Sequence, residues 1–264
     1  LICTVEKIER KKENKNPPLL FNLAELQNVC SKLFKISPDE TLSIVQDLYE
    51  KKLVTYPRTD ARVLSTAVAK EIYKNISGLR NYPQAGEAAQ GALELGAYKN
   101  IAKTRYTNDK QITDHYAIIP TGQGLGALKG LSLTAQRVYE TIVRRFLSIF
   151  YPPAVYQKVS LVTKMENESF FSSFKVLLSE GYLKIAANSF AKKSMAEASG
   201  KTPESEGEGE VSCDEALLAA LQKLKKGDIL NINGLGIKEG ETSPPKRYNS
   251  GSMILAMENA GQLI

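Results

Sequence analysis

Apolar positions along this chain follow one period in its first half and another after residue 153. Leu23, Leu26, Cys30, Leu33 and Phe34 recur at helical spacing, and Asn22 with Glu25 has the spacing of a capping box at the start of that run. In "SPDETLSIVQDLYEKK", Ser37 is placed to cap a second helix, Pro38 suits its first position and Glu40 can close the box. Lys51 and Lys52 complement its C-terminal end. A third helix is predicted over 65–76 on Val68, Ile72 and Ile76, and an Ala/Gly-rich one over 83–95. Residues 103–120 read as irregular or extended, and "TGQGLGALKG" as a glycine-rich loop. Val138, Ile142, Phe146 and Ile149 then define a helix from Thr134 to about 149.

After "YPPA" the period becomes two. Val155, Gln157, Val159, Leu161 and Thr163 alternate with Tyr156, Lys158, Ser160 and Val162, and "SFFSSFKVLL" and "GYLKIAA" read as further strands of an antiparallel sheet. Residues 2–8 form another strand, and the polar run "ERKKENKNPP" behind it reads as a solvated turn. Residues 194–213, small and acidic, predict a long mobile loop. A helix near 214–225, a strand at 228–232 and a terminal turn and helix complete the pattern. The class is α+β: a helical domain at 17–152 inserted between two parts of a β-rich domain, 1–16 and 153–247, with 248–264 opening a further helix. The 264 residues start at Leu1 inside a strand-like pattern, so a piece of a longer protein is expected.

Composition narrows the function. No apolar run approaches the ~20 residues that cross a bilayer, and the N-terminus lacks the basic, apolar, small-residue order of a signal peptide. Three widely spaced cysteines, Cys3, Cys30 and Cys213, argue against a disulfide framework or zinc site and fit a reducing, cytoplasmic setting. The single histidine, His115, rules out a multi-histidine metal site. Residues 1–150 hold 22 basic against 15 acidic residues, and 151–264 hold 13 against 14. A polyanionic partner therefore belongs to the first half.

The chemistry concentrates in "LVTYPRTD", residues 53–60. A residue before proline is pushed out of the α region, so Tyr56 is expected to be extended. Tyrosine, with a reference pKa near ~10, is a poor nucleophile unless its acceptor is a phosphodiester whose charge is neutralised. A guanidinium does this well, because its fork bonds two phosphate oxygens, and Arg58 lies two residues away. The plainer reading is a helix-terminating turn with an Asx-type cap. The glycine-rich loop lacks GK[ST] and a clear preceding strand, so it supports no nucleotide site. One histidine hardly supplies the constellation of a tyrosine recombinase.

"LYEKKLVTYPRTDARVLS" resembles the active-site segment of type IA DNA topoisomerases, in the Tyr-Pro-Arg form of topoisomerase III. "TDHYAIIPTG" is similar to the family's Asp-His-x-Ala-Ile-x-Pro-Thr element, and "ETSPPKRYNSGSMILAMENAG" to the passage from its β-rich arch into the next helix. The resemblance implies the central part of a toroidal enzyme in which Tyr56 attacks one DNA strand to form a 5′-phosphotyrosine and Arg58 holds the scissile phosphate. His115, and around it Thr59, Asp60 and Arg62, are the implied DNA-binding residues, Thr59 and Asp60 chiefly by orienting the loop. Ala61 stands where many relatives carry serine, and Asn249–Ser250 replace a threonine followed by an acid. Mg²⁺ is implied for the complete enzyme, but no residues here suit it. The implied partner is DNA, preferentially single-stranded, bound by a monomer. A non-catalytic single-strand-binding or interaction module of the same fold is the alternative.

Overall fold

The first strand is longer than its hydrophobicity predicts. β1 (Ile2–Lys15) carries the polar run that reads as a turn, yet it pairs antiparallel with β2 (Ala154–Met165) as far as Lys15↔Ala154. β5 (Ile229–Asn231) pairs with Ile2–Thr4 and Val5 bonds Gly227 and Asp228, so beyond Val5 this side of β1 has no strand partner among the described residues. Charged side chains are what an exposed edge requires, because they prevent another strand from adding to it. In the computed structural model, which describes residues 1–191, 210–212, 215–237 and 239–262, these strands belong to one of two units.

That unit comprises Leu1–Asn16, Pro153–Gly181 and Ala191–Pro244. Its sheet has the order β4-β3-β2-β1-β5, with β3 (Glu168–Ser179) antiparallel to β2 and β4 (Glu210–Ser212) parallel to β3. Val5, Val159 and Leu161 pack with Leu221 of α8 (Glu215–Lys223), joined by Ile8, Phe174, Leu224 and Leu230. Arg10 donates from one guanidinium nitrogen to the carbonyls of Leu221 and Leu224, both at 2.6 Å, satisfying acceptors at the end of α8. Most of the expected loop at 194–213 lies outside the described residues, and its stretch 210–212 is strand rather than loop.

The second unit, Pro17–Pro152 with Tyr182–Phe190 and Pro245–Ile264, is helical. α1 (Leu23–Phe34) and α2 (Pro38–Glu50) begin at Asn22 and Ser37, whose side chains accept from Glu25 N and Glu40 N. The helix predicted over 65–76 breaks at Ile72 into α3 (Thr66–Glu71) and α4 (Tyr73–Gly78). α5 spans Gly86–Leu95. α6 (Leu133–Ser148) is buried on more than one face through Val138, Tyr139, Ile142, Val143, Phe146 and Leu147, which makes it the centre of the core. Cys30, fully buried in that core, has its thiol pushed up to about 12, chiefly by burial.

"GYLKIAA" is not a strand but a single helical turn, α7 (Leu183–Ala186). The reason is a buried ion pair on α6. Glu140 accepts from Arg144 Nε at 2.7 Å and from Ser189 N and Oγ at 2.6 and 2.7 Å. Arg144 also donates to Ile185 O and Gln84 O. The pair takes its remaining partners from Ile185, Ser189 and the Gln84 carbonyl, as a buried pair must if burial is not to destabilise it.

One backbone-to-backbone contact supports the loop that follows residue 120. Gly122 has φ +77°, and a Cβ on it would lie 2.6 Å from Asn75 O; a Cβ on Gly78 would collide with Gly122 O. Gly78→Ala should therefore push the loop off α4 and destabilise the unit by about 1–3 kcal/mol, as overpacking does. A lowered denaturation midpoint with an unchanged m-value checks this, and a midpoint equal to wild type would refute it.

Candidate active site

α2 delivers the chain to Tyr56 through a tight C-terminal turn. Lys52 N donates to Tyr49 O and Leu53 N to Leu48 O, with Lys52 left-handed at φ +61°. This pair of bonds is the Schellman arrangement, here without its usual glycine. Leu53 and Val54 then enter the core, and Val54 forms a bridge to Pro120.

From here two irregular segments, 53–64 and 115–121, lie side by side. Thr55 N donates to Ile119 O, Ala117 N to Val63 O and Thr121 N to Leu53 O, each at 3.0 Å. Three threonine hydroxyls complete the seam. Thr55 Oγ1 donates to Ala117 O and accepts from Ile119 N, both at 3.0 Å. Thr59 Oγ1 donates to His115 O at 2.8 Å and accepts from Ala61 N at 3.1 Å. Thr121 Oγ1 donates to Lys52 O and accepts from Gln123 N. Thr59 is 6% exposed, so losing its hydroxyl would strand a carbonyl and an amide of the seam.

The seam brings Tyr56 and His115, far apart in sequence, into ring contact. Their centroids are 4.3 Å apart at 39°, and the Tyr49 ring of α2 meets Tyr56 edge-on at 5.4 Å. Tyr56 is half-buried between them, His115 is exposed, and the Tyr56 hydroxyl has no hydrogen-bond partner among the described residues. Behind Tyr56 the chain folds tightly, Thr59 N donating to Pro57 O at 3.0 Å, a γ-turn spacing.

The remaining sequence-predicted residues separate by their partners. Arg58 is exposed and forms no hydrogen bond or ion pair among the described residues. The Asp60 side chain is exposed, while its carbonyl accepts from Asn22 Nδ2 at 3.1 Å. Arg62 faces the protein: Nε donates to Leu20 O at 3.1 Å, and its guanidinium lies 3.7 Å from Glu25. The Glu25 carboxylate also faces Arg145, at 3.6 Å, and only its backbone N–H takes part in the cap of α1. Arg145 in turn donates to Leu19 O and covers the Phe21 ring at 4.1 Å.

Two participants escaped the sequence reading. Tyr49 reads there as one of many helical tyrosines, although its place just before the Tyr-Pro element was the available signal. Glu258, on α9 (Ser250–Glu258), reaches Asn22, and nothing in the local pattern of either residue marks that contact. Among the described residues, no three His, Cys, Asp or Glu side chains converge as metal ligands, and no helix is long and apolar enough to span a membrane. The surroundings of Tyr56 therefore do not fit a divalent-cation site.

Known proteins share the frame that carries Tyr56, Arg58 and His115. The family model described as DNA topoisomerase matches residues 2–261. DNA topoisomerase 3 of Bacillus licheniformis is 37% identical over 243 residues, covering 92% of this chain and 30% of that protein. The Bacillus subtilis protein of that name is 33% identical over 258 residues, covering 97% and 32%. The chain thus spans about a third of the length of these relatives. Full-length topoisomerase I from Thermotoga maritima shares the fold, with a TM-score of 0.62 at 22% identity over 98% of this chain and 38% of that one. Since the family match runs through the helical and β-rich units alike, this chain belongs to the DNA topoisomerase family.

Proposed function

We propose that this chain carries the nucleophile of a type IA DNA topoisomerase resembling topoisomerase III, an enzyme that opens and reseals one DNA strand. The observation that supports this most directly is the Tyr56–His115 ring pair at the end of the threonine seam, with Arg58 two residues further along the chain, exposed and without a partner among the described residues.

In this reading the Tyr56 hydroxyl oxygen attacks the scissile phosphorus. A bond from phosphorus to Tyr56 Oη forms, and the bond from phosphorus to the 3′-oxygen breaks. The tyrosine proton is lost, and the departing 3′-oxygen gains one. One phosphodiester replaces another, so resealing is the same exchange in reverse and needs no external energy source. Arg58 binds the non-bridging oxygens, where its fork offsets charge developing in the transition state. His115 holds the Tyr56 ring by stacking and offers its ring nitrogens to the adjacent backbone phosphate. Thr59 and Arg62, whose polar atoms already have protein partners, act on DNA by holding the turn, and Asp60 shapes its exit.

The exposed faces of Tyr49 and His115 suit stacking by unpaired bases, which favours a single-stranded substrate. Mg²⁺, which the type IA family uses, belongs in this reading to residues outside this chain, as does the acid that protonates the 3′-oxygen. A monomer acting on DNA in the cytoplasm accords with the free Cys3 and Cys30.

In a full-length protein containing these residues, Tyr56→Phe should abolish the covalent DNA adduct while DNA binding stays within about twofold of wild type, because only the reacting hydroxyl is lost. Arg58→Lys should cut adduct formation by about 10²-fold, since an ammonium cannot reproduce the bidentate contact. Denaturing gels of end-labelled single strands read both; adduct persisting in Tyr56→Phe would exclude this nucleophile.

The 264-residue chain alone should bind single-stranded DNA with an affinity that falls steeply with salt, by roughly 0.7 log units per phosphate contact for each tenfold rise. It should leave supercoiled plasmid unrelaxed with or without Mg²⁺. Relaxation by the chain alone, lost in Tyr56→Phe, would mean that a complete site lies within it.

A further inference from the structure

We propose that Asn22 is a positioning residue for Tyr56 and that Glu258 is the second half of the same clamp, so that docking of α9 sets the geometry of the tyrosine turn. The inference rests on the reading of Tyr56 as nucleophile. The sequence marks Asn22 only as a helix cap, and its Oδ1 does accept from Glu25 N at 2.9 Å. A cap needs nothing from the amide nitrogen. Yet Nδ2 donates both its hydrogens, to Asp60 O at 3.1 Å and to Glu258 Oε1 at 2.6 Å. Asn22 is 1% exposed, and reversing the amide would set its oxygen against two acceptors, so the orientation is fixed by its neighbours.

The link to Tyr56 is short. The first turn of α1 holds two successive carbonyls of the tyrosine turn: Leu23 N donates to Thr59 O at 3.1 Å and Asn22 Nδ2 to Asp60 O. Thr59 in turn holds His115 O, and the His115 ring lies on Tyr56. A shift at Asn22 is thereby passed to the nucleophile through three contacts.

α9 is fastened at two points. Near its start, a Cβ on Gly251 would lie 2.9 Å from Asn28 Cα, so α9 lies backbone-close to α1. Near its end, Glu258 reaches Asn22. Six residues of α1 and seven of α9 separate the two points, in opposite chain directions, spanning about 9 and 10.5 Å respectively at the helical rise. The two helices therefore match along the whole interval. Burial pushes the Glu258 carboxyl up, with Asp60 and Glu25 adding to the effect, while the Asn22 hydrogen bond and Arg62 oppose it. A carboxylate in these surroundings depends on the amide it accepts from.

The test separates clamp from cap. Asn22→Asp keeps an equally good cap acceptor but turns an oxygen toward Asp60 O and Glu258. A cap-only role predicts wild-type behaviour for this variant. The clamp predicts about a tenfold loss of cleavage rate at saturating single-stranded DNA, with DNA affinity unchanged. Glu258→Ala should lose about as much, Glu258→Gln less because an acceptor remains, and Gly251→Ala should mimic Glu258→Ala by wedging α9 away from α1. Adding Glu258→Gln to Asn22→Asp restores a donor–acceptor pair on the α9 side and should recover part of the rate. Amide exchange at Thr59 and Ala61 should quicken by about tenfold in Asn22→Asp. Wild-type cleavage in both Asn22→Asp and Glu258→Ala would overturn the inference even if exchange quickens. Should Tyr56→Phe retain the adduct, the nucleophile assignment fails instead; unchanged exchange in Asn22→Asp would then also remove the clamp, whereas faster exchange would support it.

Discussion

Two stretches without regular secondary structure run together through the core of the helical unit, and their backbone groups must find partners there without a sheet to supply them. Threonine hydroxyls meet much of that demand. Thr55, Thr59 and Thr121 each donate to a carbonyl and accept from an amide, and each donated bond links the stretch around 52–64 to 115–121. A hydroxyl can do both at once, whereas an ammonium or a guanidinium can only donate. The site residues follow from this seam. His115 O is held by Thr59, and with it the ring that lies against Tyr56.

The arginines of the helical unit show how charge is divided between structure and chemistry. Arg144 satisfies Glu140 and two backbone carbonyls; Arg145 and Arg62 share Glu25 and each cap a carbonyl of the 19–20 stretch. All three are directed inward by acceptors that the fold would otherwise leave unsatisfied. Arg58 differs in having no such partner among the described residues and lying exposed. A guanidinium already bonded to protein acceptors must break those bonds before it can bind a phosphate, and Arg58 has none to break. Proximity to Tyr56 in sequence suggested Arg58 and Arg62 alike, and their hydrogen bonds distinguish them.

Helix starts, the β2 and β3 strands and the break between the two periods were legible because each depends on nearby residues. Ser37 and Asn22 cap where their spacing predicts, and β2 and β3 pair antiparallel, although a register shift at Val155/Tyr156 buries Tyr156 with Val159 and Leu161 and β3 shows no alternation in burial. The failures depended on distant partners. The charged half of β1 is a strand because β2 pairs with it, and its polarity suits an edge that β5 leaves uncovered. "GYLKIAA" has a strand-like composition, but Arg144, some forty residues earlier, takes its Ile185 carbonyl, and Glu140 holds Ser189 just beyond it. At the site, the Tyr-Pro-Arg element was visible from pattern and resemblance. The seam was not, since Thr55 and Thr121 are ordinary loop residues until the partner segment is known. The Glu258 contact was equally hidden, spanning 236 residues of sequence.

These features bear on what a tyrosine must achieve if, as proposed, it exchanges one phosphodiester for another. Exchange of one phosphodiester for another has little free-energy difference to drive it, so the return reaction depends on the broken end staying aligned with the phosphotyrosine. Alignment of that kind comes from pre-set geometry rather than from binding strength. Here the phenol is confined by Tyr49 and His115, and the loop bearing it is tied to a second loop and to the first turn of α1. Arg58, by contrast, is exposed and has no hydrogen bond or ion pair among the described residues. On the proposed reading, a confined phenol and a guanidinium with no protein bonds to break among the described residues would suit a reaction whose phosphorus moves between two oxygens.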